Sequence, residues 1–508
     1  MNSIAKQIIH LNPEDNVAVA ISDLPSGTSL EDFHSCLDSI PAGHKIALRN
    51  IDSGEVVRKY GQIIGFASKK ILRGEHVHTQ NLMMGDFFRD YAMGIDAVKT
   101  CYVPEKERRV FDGIVRDDGR VGTRNYIGVL ATVSCSVGVA RLIAGGVPKE
   151  FLDRFPRVDG IVSLGHGSGC GMADDHEGFS LLQRTLAGYA RNPNFAGILL
   201  VGLGCEVNNL DCLLENTTIQ TGSMVRVLNI QDTGGSRETM KRGIEAITDM
   251  LEGANSVERQ KVSAAHLVLG LECGGSDAYS GITANPALGA AVDLLVQEGG
   301  TAILSETPEI YGAEHLLTRR ADDQAIGEKL VERIHWWESY TARLGGTINN
   351  NPSPGNKAGG LTTILEKSLG AAAKGGSTNL TQVYGYAEPV SARGLVFMDT
   401  PGYDTVSVTG MIAGGANLVC FTTGRGTVCG FKPVPTLKLA SNTGMYQRLE
   451  DDMDVNCGKI LDGSSTIKEM GEEIFRCILD TASGKLTKSE LLGFGDNEFV
   501  PWQFGAVM

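Results

Sequence analysis

Thiols, imidazoles and carboxylates gather at the ends of apolar runs in this chain. Residues 160–176 read GIVSLGHGSGCGMADDH: Ile161, Val162, Ser163 and Leu164 give way to a Gly-rich turn carrying His166 and Cys170, then to Asp174, Asp175 and His176. Residues 127–134 run into Cys135, residues 197–204 into Cys205 and Glu206, and residues 266–272 into Cys273, Gly274, Gly275, Ser276 and Asp277. A fifth run, 417–421, contains Cys420 and reaches Thr422, Thr423, Gly424 and Arg425. Buried cysteines are ordinary core residues. Core packing would scatter them along strands, whereas these four sit where strands end, beside glycines that let a ligand approach the backbone. Such donors suit a thiophilic transition metal such as iron, in a site that binds an anionic polyhydroxy ligand.

The elements that must position these groups are strands apolar on both faces, which belong to parallel sheets and present ligands at their carboxyl ends. The expectation is an α/β protein: a small N-terminal β-rich domain (1–90), a charged linker (91–124), a Rossmann-like doubly wound domain with Cys-ended strands (125–346) and a C-terminal α/β domain (347–508). In the small domain, short apolar runs at 17–21, 44–48, 56–60 and 63–67 lie between turns, with one helix expected over 30–40. It holds His44, His76 and His78, the last two on one face of an extended segment. Helices are expected over 137–144, 178–190, 236–252, 286–298 and 469–479, the fourth opening with Pro286. Residues 347–376 read as a long Gly- and Pro-rich loop whose Lys357 can meet an anion, and residues 422–427 as a loop whose hydroxyls and Arg425 suit a carboxylate or polyol.

Composition narrows the partners. A chain of 508 residues with a net charge of −14 is a multi-domain protein without the clustered Lys and Arg that nucleic acid requires. A small anionic substrate needs only a local cationic pocket. No secretory leader or membrane span is expected, and eleven cysteines without a CxxC pair suggest reduced thiols in the cytoplasm. No GxGxxG opens the first helix of the large region and no GxxxxGK[ST] occurs, which removes dinucleotide and Walker-type chemistry.

The motifs resemble the altronate dehydratase family, which includes galactarate dehydratase and the two-subunit sulfolactate sulfo-lyase. The resemblance rests on 43–48 (GHKIAL), Tyr60-Gly61 with Ile64-Gly65, His76-Val77-His78, 119–125, His166 with Gly169-Cys170, 202–206 (GLGCE), 271–277 (LECGGSD), 282–286 (ITANP), 351–360 (NPSPGNKAGG) and 423–427 (TGRGT). Asp174-Asp175-His176 and Leu271-Glu272-Cys273 look more like altronate than galactarate dehydratases. Val428-Cys429 stands where the family pattern has Pro. The resemblance implies a SAF-type small domain and a metal-dependent hydro-lyase turning D-altronate into 2-keto-3-deoxy-D-gluconate. The alternatives are another aldarate or sulfolactate as substrate and, remotely, a non-catalytic sugar-acid binder. It also implies Fe2+ or Mn2+, and four thiolates (Cys135, Cys170, Cys205, Cys273) can carry an iron–sulfur cluster. Within that frame His44 and His78 are candidates for proton exchange with the substrate, and His166 for a metal ligand or the base. Lys357 and Arg425 are candidates for holding the carboxylate, and Asp277 and Glu206 for orienting hydroxyls. The expected partner is a small sugar acid, with no nucleic acid or membrane; a homo-oligomer is left open.

Overall fold

The structure, a computed structural model, describes residues 7–30 and 35–505. Two parallel sheets build the large region. In the first, the strands run in the order Gly160–Leu164, Tyr126–Ala131, Phe195–Gly202, Val225–Asn229, all parallel. In the second, seven strands run in the order Leu380–Tyr384, Gly394–Met398, Thr301–Leu304, Val268–Cys273, Leu418–Thr423, Thr436–Ala440, Val455–Asn456, again all parallel. The α/β class is borne out. The expected boundary at 346/347 is not a sheet boundary, because the second sheet takes strands from both sides of it. The change of sheet falls instead between Val225–Asn229 and Val268–Cys273. Residues 110–122, expected as linker, form strands Val110–Val115 and Val121–Gly122; the first pairs with Gln260–Ser263.

Layering follows from which residues are apolar. Helices Glu177–Ala190 and Asp404–Gly414 lie between the two sheets, their Leu182, Leu186, Val408 and Met411 sharing one core with Leu200 of the first sheet and Val419 of the second. The two helices meet at Gly188, where a Cβ would strike the carbonyl of Ala413. On the far side of the second sheet, Ile467–Ala482 opens with a capping box of Thr466 and Glu469. It spaces Met470, Ile474, Phe475 and Ile478 along one face against Leu288 and Leu295 of helix Ala284–Gln297. Each such side chain, once buried, contributes about 1.5–3 kcal/mol, so Ile474→Asp would separate this helix pair.

Helix Ala284–Gln297 begins two residues before Pro286, whose missing N–H falls in the first turn, where no intrahelical partner exists. Residues 347–376, expected as a loop, contain helices Pro354–Ala358 and Ile364–Ala372, the latter buried along its length. The small domain consists of an antiparallel sheet of Ile8–Ile9, Val17–Ala20, Lys45–Ala47 and His76–Val77, and a second of Val56–Lys59, Gln62–Ala67 and Leu82–Met83. The helix expected over 30–40 lies partly on residues outside the described ones; its described remainder, 35–40, is non-helical and bridges Ile40 to Leu24.

Candidate active site at the seam between the small domain and the seven-stranded sheet

In the seven-stranded sheet, the chain goes from Val268–Cys273 to Thr301–Leu304 on one side and later to Leu418–Thr423 on the other. This is a topological switch point, and ligands of open α/β sheets bind in the crevice beyond it. The loops leaving these two strands are stitched together: Gly424 and Arg425 both donate backbone N–H to the Gly275 carbonyl, at 3.1 and 2.9 Å. Asp277 fixes the arrangement. Its Oδ1 accepts from the Ser280 amide (2.8 Å), Ser280 Oγ (2.9 Å) and Ser441 Oγ (2.9 Å), and its Oδ2 from Asn442 Nδ2 (3.1 Å). Burial raises its pKa, against these donors. Both oxygens are thus occupied internally, which makes Asp277 a positioning residue.

A third loop completes the edge. Asn356 donates to the Ser276 carbonyl at 2.8 Å, and Ala278 donates its amide to the Gly359 carbonyl at 2.9 Å. Lys357 is half-buried and Arg425 exposed, and neither has an ion-pair or hydrogen-bond partner through its side chain among the described residues. Two cations without side-chain partners among the described residues thus stand on loops at the switch point, where they can meet a small anion.

The small domain closes over this edge. A Cβ on Gly360 would strike the Gly43 carbonyl, so the two backbones approach as only glycine permits. Tyr279 donates its hydroxyl to the carbonyl of Ala20 at 2.9 Å. Beneath, Lys45 and Lys59 of the small domain meet Glu366 of helix Ile364–Ala372 at 2.8 and 3.0 Å, all three side chains buried. Burial alone would raise the Glu366 carboxyl, but the two ammoniums hold it well below the usual carboxylate range. Burial also pushes Lys45 down to about 8, against the pull of Glu366.

Docking brings three imidazoles to the seam. Strand His76–Val77 pairs antiparallel with Lys45–Ala47, Lys45 opposite Val77, which sets His44 opposite His78 with His76 beside them. The ring centroids lie 4.7, 5.0 and 5.5 Å apart. His44 Nε2 lies 3.3 Å from the Ala358 carbonyl. Burial first, then neighbouring Lys45 and the other imidazoles, lowers His76 to about 4 and His78 to about 3, so both are uncharged at neutral pH.

Behind the switch point lies a buried cluster with no counterpart among the sequence expectations except Cys273. Its Sγ lies 3.6 Å from Glu306 Oε2 and 3.5 Å from Glu309 Oε2. Lys374 reaches Glu306 at 3.2 Å and Lys367 reaches Glu309 at 2.7 Å. Glu272 and Asp404 adjoin Glu306, and the buried Glu272 Oε1 and Glu306 Oε1 have no hydrogen-bond partner. Glu306 also sits in the left-handed region at φ 67°, a conformation that non-Gly residues keep where the surroundings impose it. Burial, then Glu306 and Glu309, raises Asp404 to about 7. Four carboxyl groups thus face two ammoniums; burial and the neighbouring carboxylates raise Glu272, Glu306 and Asp404, so the cluster retains protons that a divalent cation would displace.

The four cysteines do not converge. Cys273 is buried in the seven-stranded sheet, while Cys135, Cys170 and Cys205 are exposed in loops at the carboxyl edge of the four-stranded one. Among the described residues no cluster of three donor atoms within 4.8 Å includes any of those three. Their loops do touch: Val207 donates its amide to the Cys170 carbonyl at 3.3 Å, and Ser134 to the Ser168 carbonyl at 2.9 Å. Glu206 accepts from the Leu203 amide at 2.9 Å and the Thr132 hydroxyl at 3.1 Å, which makes it a loop clamp. His166, 7% exposed, pairs Nδ1 with Ser168 Oγ at 3.1 Å and leaves Nε2 unpartnered; burial lowers it to about 4.

A cation-bearing seam at the switch point of a parallel sheet, closed by a β-rich cap, is where an α/β protein can take a small anion. Comparison with known proteins carries the assignment further. Three family models match in succession: the altronate/galactarate dehydratase SAF domain (residues 6–85), the second domain of D-galactarate dehydratase/altronate hydrolase (113–255) and the C-terminal domain of D-galactarate/altronate dehydratase (264–507). Altronate dehydratase of Bacillus subtilis is 35% identical over 492 residues, 96% of this chain and 97% of the relative. Galactarate dehydratase (L-threo-forming) of Escherichia coli is 37% identical over 489 residues, 94% of this chain and 93% of the relative. The (2R)-sulfolactate sulfo-lyase subunit beta of Chromohalobacter salexigens is 30% identical over 401 residues, 78% of this chain and 98% of the relative. The chain belongs to the altronate/galactarate dehydratase family and is a hydro-lyase, so the resemblance read from its motifs and its SAF-type domain is borne out. No helix among the described residues is long and apolar enough to cross a membrane.

Proposed function

We propose that this protein removes water from D-altronate to give 2-keto-3-deoxy-D-gluconate, with galactarate or another aldarate, or sulfolactate, as the alternative substrate. The observation that carries this reading is the pair of unpaired cations, Lys357 and Arg425, beside the switch point of a chain related over nearly its whole length to sugar-acid dehydratases. The Leu271-Glu272-Cys273 pattern favours altronate among those substrates.

Dehydration passes the C2 proton, which is weakly acidic next to a carboxylate, to a general base and expels the C3 hydroxyl as water on a proton from a general acid. Lys357 and Arg425 hold the C1 carboxylate and draw charge from C2 as the proton leaves. Asp277, through Ser441 and Asn442, keeps the loop that carries Gly275 in register with the loop that carries Arg425. The small domain excludes water from the seam and brings the uncharged nitrogens of His44, His76 and His78 to it. The family resemblance implies Fe2+ or Mn2+, and the converging donor atoms and unpartnered carboxylate oxygens around Glu306 fit a divalent ion. Cys273, Glu306 and Glu309, with Glu272 and Asp404 adjoining, would hold it, and it would supply positive charge behind the switch point.

The test is formation of 2-keto acid by protein purified without oxygen and supplied with iron, given D-altronate, galactarate or (2R)-sulfolactate in turn. Turnover of altronate alone supports the reading, turnover of galactarate or sulfolactate alone moves it to the alternative, and turnover of none sinks it.

A further inference from the structure

His44, His76 and His78 form a compact donor set that the carboxylate cluster does not touch. One nitrogen from each lies within 4.8 Å of the others. His44 Nδ1 and His76 Nε2 face each other at 2.9 Å. Two nitrogens bound to one ion at about 2.1 Å stand roughly 3–3.4 Å apart, so the faced pair needs only a few tenths of an ångström to admit one. The other side of His44 carries a second sign. Its Nε2 lies 3.3 Å from the Ala358 carbonyl, and a carbonyl can only accept, so Nε2 bears the proton and Nδ1 presents its lone pair to His76. A ring nitrogen fixed to a backbone carbonyl while its partner points at other imidazoles is the usual outer-shell arrangement of a metal-bound histidine. On His78, Nδ1 is buried and unpartnered.

The backbone holds the three rings in place. The His76 amide donates to Asp38 Oδ2 at 3.0 Å, the His78 amide donates to Asn81 Oδ1 at 2.9 Å, and Asn81 Nδ2 returns to the His76 carbonyl at 2.9 Å. Because strand registry sets His44 opposite His78, the set exists only when the small domain is folded, and Ala358 joins it only when that domain is docked.

We infer that His44, His76 and His78 bind one divalent first-row transition-metal ion at the seam, in a site separate from the Glu306 cluster. An all-imidazole set suits Fe2+, Co2+ or Zn2+, whereas the Glu306 cluster, mostly carboxylate, suits the harder Mn2+ of the two ions the family implies. Three protein nitrogens leave coordination positions free for small oxygen ligands. Resting on the dehydratase reading, this inference takes those ligands to be the carboxylate and α-hydroxyl of the sugar acid, with Lys357 and Arg425 at the same edge.

The experiment uses full-length protein stripped by chelation and refilled with Co2+ alone. X-ray absorption at the cobalt edge should show imidazole scattering. His76→Ala should remove that scattering and weaken Co2+ binding at least about a hundredfold, the upper end of what loss of an outer-shell partner alone costs. Glu306→Gln should retain it. Absence of imidazole scattering in the unaltered protein overturns the site without relying on any variant, and so does scattering that persists in His76→Ala. Because no substrate is present, failure of turnover leaves the result standing. Adding D-altronate should then change the cobalt spectrum. No change with altronate, galactarate or sulfolactate overturns the substrate clause while the imidazole site stands.

Discussion

Replacing Glu366 with Gln should undock the small domain while leaving both of its sheets folded. The side chain is isosteric, so no cavity forms, but Lys45 and Lys59 lose the carboxylate that both pair with, in a place where all three groups are buried. Breaking a buried pair by removing one partner costs about 3–5 kcal/mol, because an unpaired charge is left out of water. The lysines belong to the small domain and the glutamate to helix Ile364–Ala372, so the cost falls on docking. At about 1.4 kcal/mol per tenfold, the undocked fraction rises on the order of a hundred- to a thousandfold. Protease cleavage in the irregular segment 86–104, and hydrogen exchange at Lys45–Ala47, should accelerate accordingly. Replacing all three with apolar residues of similar size, Lys45→Met, Lys59→Met and Glu366→Leu, should restore docking. The sign with pH follows from the lowered carboxyl: its contribution is fully present above the unfolded value of about 4.3 and is lost as pH falls through the folded value. Docking in the unaltered protein should therefore survive at pH 4. Unchanged proteolysis and exchange in Glu366→Gln would refute the reasoning.

Lys357→Met and Arg425→Met should each raise KM for the sugar acid about ten- to a hundredfold, the worth of one charge-assisted contact of about 1.5–3 kcal/mol; an unchanged KM in steady-state rates removes that cation from the seam. Asp277→Asn turns an acceptor-only group into one whose NH2 faces donors, and a loss of about 1–3 kcal/mol should lower the melting temperature and slow turnover together. Calorimetry showing unchanged melting with lost activity would instead mean that Asp277 meets substrate. His166 has a folded value of about 4 because burial disfavours its charge, so the unfolded chain binds the proton first as pH falls. Stability should be complete above pH ~6.5 and decline by up to about 3 kcal/mol by pH 4, and His166→Gln should flatten that decline in denaturant titrations.

The Cys-ended runs were legible as strands because an apolar stretch closed by glycines has few other uses, and all four became parallel strands. Which sheet each would join was not legible. The four runs look alike, and partner choice depends on pairings such as Leu269 with Leu418, far apart in sequence. For that reason the sequence alone groups Cys273 with three thiols that belong to another sheet. Helix Ile364–Ala372 was missed although Thr363 and Glu366 stand at capping-box spacing before an apolar run. Its Glu366 would in any case have been taken for an exposed cap, since only the docked small domain buries it. Glu306 and Glu309 followed a strand too short to stand out, and their partners Lys367 and Lys374 lie on elements hidden in the supposed loop. His76 and His78 were legible as sharing a face, but their meeting with His44 depends on strand register, which sequence alone leaves free.

The central claim is dehydration by loss of the C2 proton and the C3 hydroxyl, and the most direct measurement is the NMR and mass spectrum of the product formed from D-altronate in D2O. The account predicts 2-keto-3-deoxy-D-gluconate carrying one solvent deuteron at C3. A product that retains the C2 hydrogen, or altronate recovered intact from the metal-supplied protein, would contradict it.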